Sequence, residues 1–493
     1  MVEQLRAKGV RGGLWSASSS IFRAVLYLTQ LAVLARYLGP QDFGLMALVL
    51  VIVGLSQIIG SMGITNAIIH FKNPESGALS TVYWFNIGLG VTLYALVVAA
   101  APAISFWLDE PELERLLVWG GVAVPVNAVG QSFRAILQRE LMFRDLAVID
   151  VIGALFSTIV AIWMAVNGYG VWALVWGALV NQGVGALVAI IVGGPLWRPR
   201  LVFAPLRSWR FLRFGLFQTG DGGLKYLATQ LDRVFIGDLV GAHVLGYYSL
   251  GMQLMMRPIE FFGPVLTRVG IPILAHVQED RSRLIRGFLE MTRIQSLFLV
   301  PLYALGIALA PRLVQVLLGP EWSEVIPIFR VLCLVGISFA VGRPIGTLIV
   351  ACGKPDWGLY LNVVTLIGYF VAVSIGARWE AIGVAWALVV VQVVVVGPSQ
   401  MILRWWLAKI SPLAFFRAIG PALVASFIGC LVAWAAVVVM DWLSPNLFDI
   451  VVLGIGSGLG ACSVLLVAHL IAPQILARVQ RDLYHIIKHP PSN

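Results

Sequence analysis

Ser16, Ser19, Arg23, Tyr27 and Gln30 stand 3, 4, 4 and 3 residues apart within the otherwise apolar run LWSASSSIFRAVLYLTQ. On a helix that spacing gathers all five on one face. The thread returns 202 residues later, where Gln218, Asp221, Lys225, Thr229 and Asp232 take the same five places. Beyond it Gly39 and Gly44 fall on Gly241 and Gly246. Two further stripes have helical spacing: Asn127, Gln131 and Arg134 in one apolar run, and Gln253, Arg257, Glu260 and Pro264 in another. Arg343 takes a comparable place in a later run. Charges inside apolar segments are expensive, so each marks a candidate functional position. Five cations (Arg23, Arg134, Lys225, Arg257 and Arg343) outnumber the three nearby acids, Asp221, Asp232 and Glu260. A positive excess in a low-dielectric cavity favours an anionic guest, and phosphate-bearing groups suit Arg and Lys particularly well. The three acids would balance the empty cavity or couple to H⁺ or Na⁺. The alternative is that these acids and cations pair to hold helices together.

Gln57, Asn86, Asn181 and Gln182 add neutral hydrogen-bonding groups, and Trp84, Tyr226 and Trp172 could stack on sugar faces. Arg268, Arg293, Arg330 and Glu290 lie near the ends of apolar runs, where long side chains snorkel to the interface.

The elements that must carry these residues follow from composition. The chain is 59% hydrophobic and 12% charged, with a mean hydropathy of +0.91, outside the range of soluble globular proteins. Apolar runs of about 20 residues, the length needed to span a bilayer, recur throughout. They place spans near 14–36, 43–69, 80–107, 116–137, 146–166, 170–193, 211–237, 243–267, 293–311, 325–351, 358–377, 381–403, 414–440 and 450–472. Backbone groups in lipid must be bonded within the segment, so the spans are helices, and the runs are too long for barrel strands. The run behind the basic N-terminus is too long for a signal-peptide core, which makes it a retained first helix.

Most of the 34 Lys and Arg residues fall on the N-terminal side of the membrane; the opposite side holds Arg36, Arg115, Arg312 and Arg378. This bias places both termini in the cytoplasm and makes the span number even. The net charge of +10 therefore reflects topology rather than nucleic-acid binding. Similarity between halves continues past the first helix: LDEPE at 108–112 resembles LGPEW at 318–322, and GYGVWALVWGALV at 168–180 resembles AIGVAWALVVVQV at 381–393. Six spans per half begin and end on one side, so the repeats are parallel, as in transporters whose lobes rock about a central space. The expected fold is an all-α polytopic membrane protein of about fourteen transmembrane helices, with two parallel six-helix lobes around a central cavity. The divisions are a lobe at 1–193, a cytoplasmic linker at 194–210, a lobe at 211–407, two extra helices within 408–472 and a cytoplasmic tail at 473–493.

Other chemistry has no footing. The sequence has no GxxxxGK[ST], HExxH or GxSxG and no metal-spaced His cluster, and its four cysteines have no ligand spacing. No outer loop is large enough for an external catalytic domain. The expectation is a non-enzymatic protein with no metal or cofactor, driven by H⁺, Na⁺ or the gradient of its own substrate.

The segments RGGLWSASSS, LARYLGPQDFGLMAL, ILQRELMFRDLAVID, QLDRVFIGDLVGAHVLGYYSLG and CGKPDWGLYLN resemble Wzx-type polysaccharide flippases. These form a branch of the superfamily that includes the MATE drug exporters and the lipid II flippase. The resemblance runs from about residue 9 to residue 405 and is most specific in LARYLGPQDFGL and QRELMFRDLA. It implies transfer of an undecaprenyl-diphosphate-linked oligosaccharide across the bacterial inner membrane for O-antigen, capsule or exopolysaccharide synthesis. Polymerase and chain-length or export machinery would be partners. It also implies an arginine-rich cavity with basic residues in the first and eighth helices, the places of Arg23 and Arg257, and a lipid-tail groove at the last two helices. Two readings stand as alternatives. A MATE-like ion-coupled exporter would have an acid-dominated cavity, and a non-transporting scaffold of a glycan-assembly complex would depend on cytoplasmic loops around Arg200 and Arg283.

Overall fold

A computed structural model describes residues 2–61, 76–202, 219, 222–223, 226–227, 229–276, 280–443 and 449–471. Every regular element among the described residues is helical. Nine stretches among them are long and apolar enough to cross a membrane, and Val451–Val467 is apolar but shorter. The stretch Asp356–Ala408 counts once by composition but is far longer than one crossing and is broken near its middle. The protein is an all-α, multi-pass membrane protein, as the apolar runs predict. Its chain divides into two compact units, Met1–Gly246 and Tyr247–Asn493.

The first unit contains α1 (Val2–Tyr37), α2 (Pro40–Ser61), α3 (Ser76–Trp107), α4 (Pro111–Gly121), α5 (Ala123–Arg139), α6 (Phe143–Val166) and α7 (Trp172–Gly193). Residues 229–239 are also helical, and α8 (Ala242–His276) begins in this unit. Pro40 and Pro111 open their helices, where the missing N–H is not needed. Gly168 and Gly170, at φ +78° and +54°, make the tight turn between α6 and α7. The predicted span 116–137 is broken at Val122, between α4 and α5. Pro125 lies three residues on and supplies no N–H to the turn before it.

A reciprocal contact joins α2 to the start of α8. A Cβ at Gly44 would lie 1.7 Å from the Ala242 carbonyl oxygen, and one at Gly246 would lie 1.9 Å from that of Pro40. Positions 40 and 242, like 44 and 246, are equivalents in the 202-residue repeat. Each segment thus offers a glycine to the other's carbonyl.

The second unit holds most of α8, then α9 (Arg281–Leu317), α10 (Val325–Gly342), α11 (Pro344–Ala351), α12 (Pro355–Gly376), α13 (Glu380–Val391), α14 (Gly397–Ala408), α15 (Pro412–Leu443) and α16 (Asp449–Ile471). The predicted span 325–351 is discontinuous, broken at Arg343 immediately before Pro344. A single 3₁₀ turn, Ala377–Trp379, and Glu380 at φ +55° reverse the chain between α12 and α13. The hairpin closes so tightly that a Cβ at Gly383 would lie 2.2 Å from the Gly376 carbonyl oxygen. One π turn, Gln392–Val396, joins α13 to α14. The last two helices pack on α9 through Ala308, Leu309 and Ala433, with Cys430, Val437 and Leu453 against them. Arg312 of α9 pairs with both Asp441 and Asp449.

Candidate anion site

The polar stripe of α1 faces α6. Arg23 Nη1 lies 3.4 Å from Asp150 Oδ2, and Thr158 Oγ1 donates to Gln30 Oε1 at 3.2 Å. Seven residues on α1 span the same stretch as eight on α6, both about two turns, so the helices run in the same direction. From α5, Arg134 Nη1 donates to Asp150 Oδ1 at 2.7 Å. One carboxylate therefore holds two guanidiniums from different helices and leaves a net charge of about +1. All three side chains stay reachable, with Arg23 41%, Arg134 37% and Asp150 28% exposed.

Arg134 also lines a cavity of about 300 Å³ with Asn127, Gln131, Asn181 and Gln182. Gly130 and Ala186 narrow its wall, because a Cβ at Gly130 would sit 2.8 Å from Ala186. Asn127 Nδ2 donates to Gln182 Oε1 at 3.2 Å. Gln131 Oε1 is buried with no hydrogen-bond partner among the described residues. Tyr27 is half-buried on the stripe of α1. Ser157 Oγ donates to the Gly177 carbonyl at 2.8 Å and fixes α6 against α7 behind the cavity.

In the second unit, Arg257 Nη1 donates to Glu260 Oε2 at 2.8 Å, one turn along the same helix. Arg343, at the break between α10 and α11, is an electrostatic neighbour of Glu260 and Tyr303. Its guanidinium carbon lies 5.4 Å from the Phe339 ring centroid. Tyr303 is anchored by donating to the Met255 carbonyl at 2.9 Å. Glu260 thus pairs with Arg257 and has Arg343 as a second basic neighbour.

The structure assembles Arg23, Arg134, Asn127, Gln131, Tyr27 and Gln30 in one unit, and Arg257, Glu260 and Arg343 in the other. Lys225 and Asp221 lie outside the described residues. Asp232 is 7% exposed and accepts from the Arg233 amide at 2.9 Å; it does not line the polar cavity. Asp150, an acid inside an apolar run but not one of the three counted near the cations, is the one that pairs with Arg23 and Arg134. Its helical spacing of 3 and 4 with Gly153 and Ser157 is the signal that marks this face of α6. Three expected neutral contributors are engaged elsewhere. Asn86, fully buried, donates to the Ala128 carbonyl at 3.1 Å. Trp84 donates to the Arg200 carbonyl at 2.9 Å, and Tyr226 to that of Leu50 at 2.8 Å. Gln57 lines a separate, smaller cavity of about 80 Å³. A polar node that spacing did not flag is Gln392 on the π turn, which donates to Tyr369 at 2.5 Å and accepts from Ser338 at 3.1 Å.

Comparison with known proteins adds relatives to this geometry. The family described as polysaccharide biosynthesis protein matches residues 33–327. The lipopolysaccharide biosynthesis protein WzxC of Escherichia coli (strain K12) is 31% identical over 438 residues, covering 86% of this chain and 88% of WzxC. The teichuronic acid biosynthesis protein TuaB of Bacillus subtilis (strain 168) is 28% identical over 431 residues, covering 85% and 87%. Among solved structures, the lipid II flippase MurJ in an inward closed conformation aligns with a TM-score of 0.74, covering 94% of this chain and 100% of MurJ. At 13% identity that likeness is one of fold.

Proposed function

The chain belongs to the polysaccharide biosynthesis protein family, and from that premise we propose that it is a flippase for lipid-linked oligosaccharide. The substrate is an oligosaccharide repeat unit on undecaprenyl diphosphate, moved by alternating access from the cytoplasmic to the outer leaflet of the bacterial inner membrane. The protein is not an enzyme, and both termini face the cytoplasm. The observation that carries this reading is the shared carboxylate. Arg23 and Arg134 converge on Asp150 beside a cavity of amide side chains. Two guanidiniums presented together match the two negative centres of a diphosphate, and the amides match sugar hydroxyls. Arg257 and Arg343 are the corresponding cations of the second unit, and Lys225 adds a basic residue at the repeat position of Arg23. Asp150 and Glu260 hold the cations when no substrate is present, and exchange of those pairs for H⁺ or Na⁺ supplies the coupling. An exporter of cationic drugs needs the opposite charge balance.

The test is transfer of a diphosphate-linked oligosaccharide across proteoliposomes. The expected result is transfer by the wild type and its loss in Arg23→Ala with Arg134→Ala and in Arg23→Ala with Arg257→Ala, with membrane insertion retained. Wild-type transfer by both double variants would remove the arginine site, and no transfer of the host's own glycan lipid by the wild type would remove the flippase reading.

A further inference from the structure

The basic side chains at the end of α14 form a second site, apart from the arginine pairs above. Arg281, Leu284, Cys352, Lys354, Trp406 and Leu407 line a cavity of about 570 Å³. The end of α11 builds one wall. Gly353 at φ +66° lets the chain turn, and the Lys354 amide donates back to the Ile349 carbonyl at 3.2 Å. That turn lays the Lys354 ammonium 4.2 Å from the Trp406 ring centroid. The Trp406 ring in turn packs 4.5 Å from that of Trp357. Arg281 Nε reaches the Ala408 carbonyl at 3.5 Å and closes the end of α14.

No acid among the described residues lines this cavity. The nearest along the chain, Asp280, is taken up by its own turn: it accepts from the Ser282 and Arg283 amides at 3.0 and 3.1 Å and pairs with Arg283 Nε at 3.0 Å. Two cations therefore face one cavity without a carboxylate partner among the described residues. Its surroundings are those of a membrane interface. Trp405 and Trp406 are 50% and 47% exposed, and Lys409 Nζ lies 5.5 Å from the Trp405 ring centroid. Exposed indoles beside cations mark the headgroup level. From Trp357 an exposed apolar face of α12, with Leu359, Tyr360, Val363 and Ile367, leads away along the helix. By the charge bias of the loops this is the cytoplasmic end, where anionic lipids meet basic pockets between helices.

We propose that Arg281 and Lys354 bind the phosphate of an anionic glycerophospholipid, with Trp406 flooring the headgroup and α12 carrying an acyl chain. The ligand chemistry is a phosphate ester, and the adjoining apolar face assigns it to a lipid rather than a free phosphate. The proposal stands independently of what the protein transports.

The experiment uses purified full-length protein, stripped of lipid in detergent and then given phosphatidylglycerol, phosphatidylcholine or inorganic phosphate. Retained lipid is counted by native mass spectrometry, and unfolding is followed by tryptophan fluorescence. The wild type should retain phosphatidylglycerol over phosphatidylcholine and unfold at a higher temperature with it. Arg281→Gln with Lys354→Gln should lower that retention about thirtyfold, at roughly fivefold for each lost cation. Arg283→Gln with Arg286→Gln removes the same charge elsewhere on α9 and should retain the lipid. Circular dichroism of both lipid-free variants checks the fold, and Arg281→Lys should keep binding if the glutamine pair is poorly folded. Equal loss in both double variants, stabilisation by inorganic phosphate equal to that by lipid, or no preference over phosphatidylcholine would each overturn the proposal.

Discussion

Asp150→Asn isolates the logic of the arginine pair. The wild-type carboxylate competes with any anionic guest for Arg23 and Arg134, at 3.4 and 2.7 Å. With side chains 28–41% exposed, each pair falls in the weak range of about 0.2–1 kcal/mol. A guest must displace both, so removing the competitor should strengthen binding by about 0.4–2 kcal/mol, or about two- to thirtyfold. Asparagine keeps the shape and one acceptor, so the unfolding temperature should change little. The assay is titration of a short-chain polyprenyl diphosphate into solubilised protein, wild type against Asp150→Asn, with a polyprenyl monophosphate alongside. The gain should be larger for the diphosphate, which engages both guanidiniums. Transfer in proteoliposomes should slow, because tighter ground-state binding retards release. Unchanged or weaker diphosphate binding in Asp150→Asn would refute the reasoning, since the carboxylate would then be supporting the guest rather than competing with it.

Other expectations follow from the packing. Gly44→Ala and Gly246→Ala each force a methyl into a carbonyl; thermal unfolding should show similar losses of about 1–3 kcal/mol for the two. Gly383→Ala should weaken the hairpin of α12 and α13 by a comparable amount, whereas Gly454→Ala, which meets nothing within 4 Å, should be neutral or slightly stabilising in the same melts. Arg312→Met leaves Asp441 and Asp449 facing each other at the adjoining ends of α15 and α16; the unfolding temperature should fall and recover when both acids become Asn. At the start of α9, the Ser282 hydroxyl, with the Arg283 and Ser282 amides, holds the Asp280 carboxyl below its usual range. A depressed folded-state value means a contribution present at neutral pH and lost only as pH falls through that value, below about 3.9. The difference in melting between wild type and Asp280→Ala should therefore persist down to about pH 4 and narrow only below it.

Much of this arrangement is legible in the residues. Hydropathy fixes which segments cross the membrane, since lipid leaves the backbone no alternative to helix. The 3- and 4-residue spacing of Arg23, Tyr27 and Gln30 locates the face of α1 that meets α6, because helical periodicity alone determines it. The spacing of Asn127, Gln131 and Arg134 does the same for α5. Pairing is harder to read. Arg23 and Asp150 are far apart in sequence, and only the packing of α1 on α6 brings them together. An acid count by proximity along the chain selects Asp221, Asp232 and Glu260 and passes over Asp150. Breaks inside apolar runs are equally hidden, because hydropathy is blind to whether Pro125 or Pro344 interrupts the ladder. The indole of Trp84 and the amide of Asn86 read as available groups, yet each is committed to a backbone carbonyl on another segment.

The π turn at Gln392–Val396 has a geometric consequence for everything after it. Its amide at Gly397 bonds back to the Gln392 carbonyl, one residue further than an α ladder would reach. An extra residue in a turn shifts the phase of the following helix by about 100°. The face that α14 turns toward its neighbours is thus out of step with that of α13. It is this offset that directs Arg404 inward, 2% exposed, with its guanidinium 3.9 Å from the Phe415 ring centroid and bonded to Gln400 at 3.1 Å. Deleting one valine from 393–396 would restore an α ladder and rotate Arg404 off that ring. The run of four valines therefore acts as a spacer whose length, more than its side chains, aims the helix beyond it.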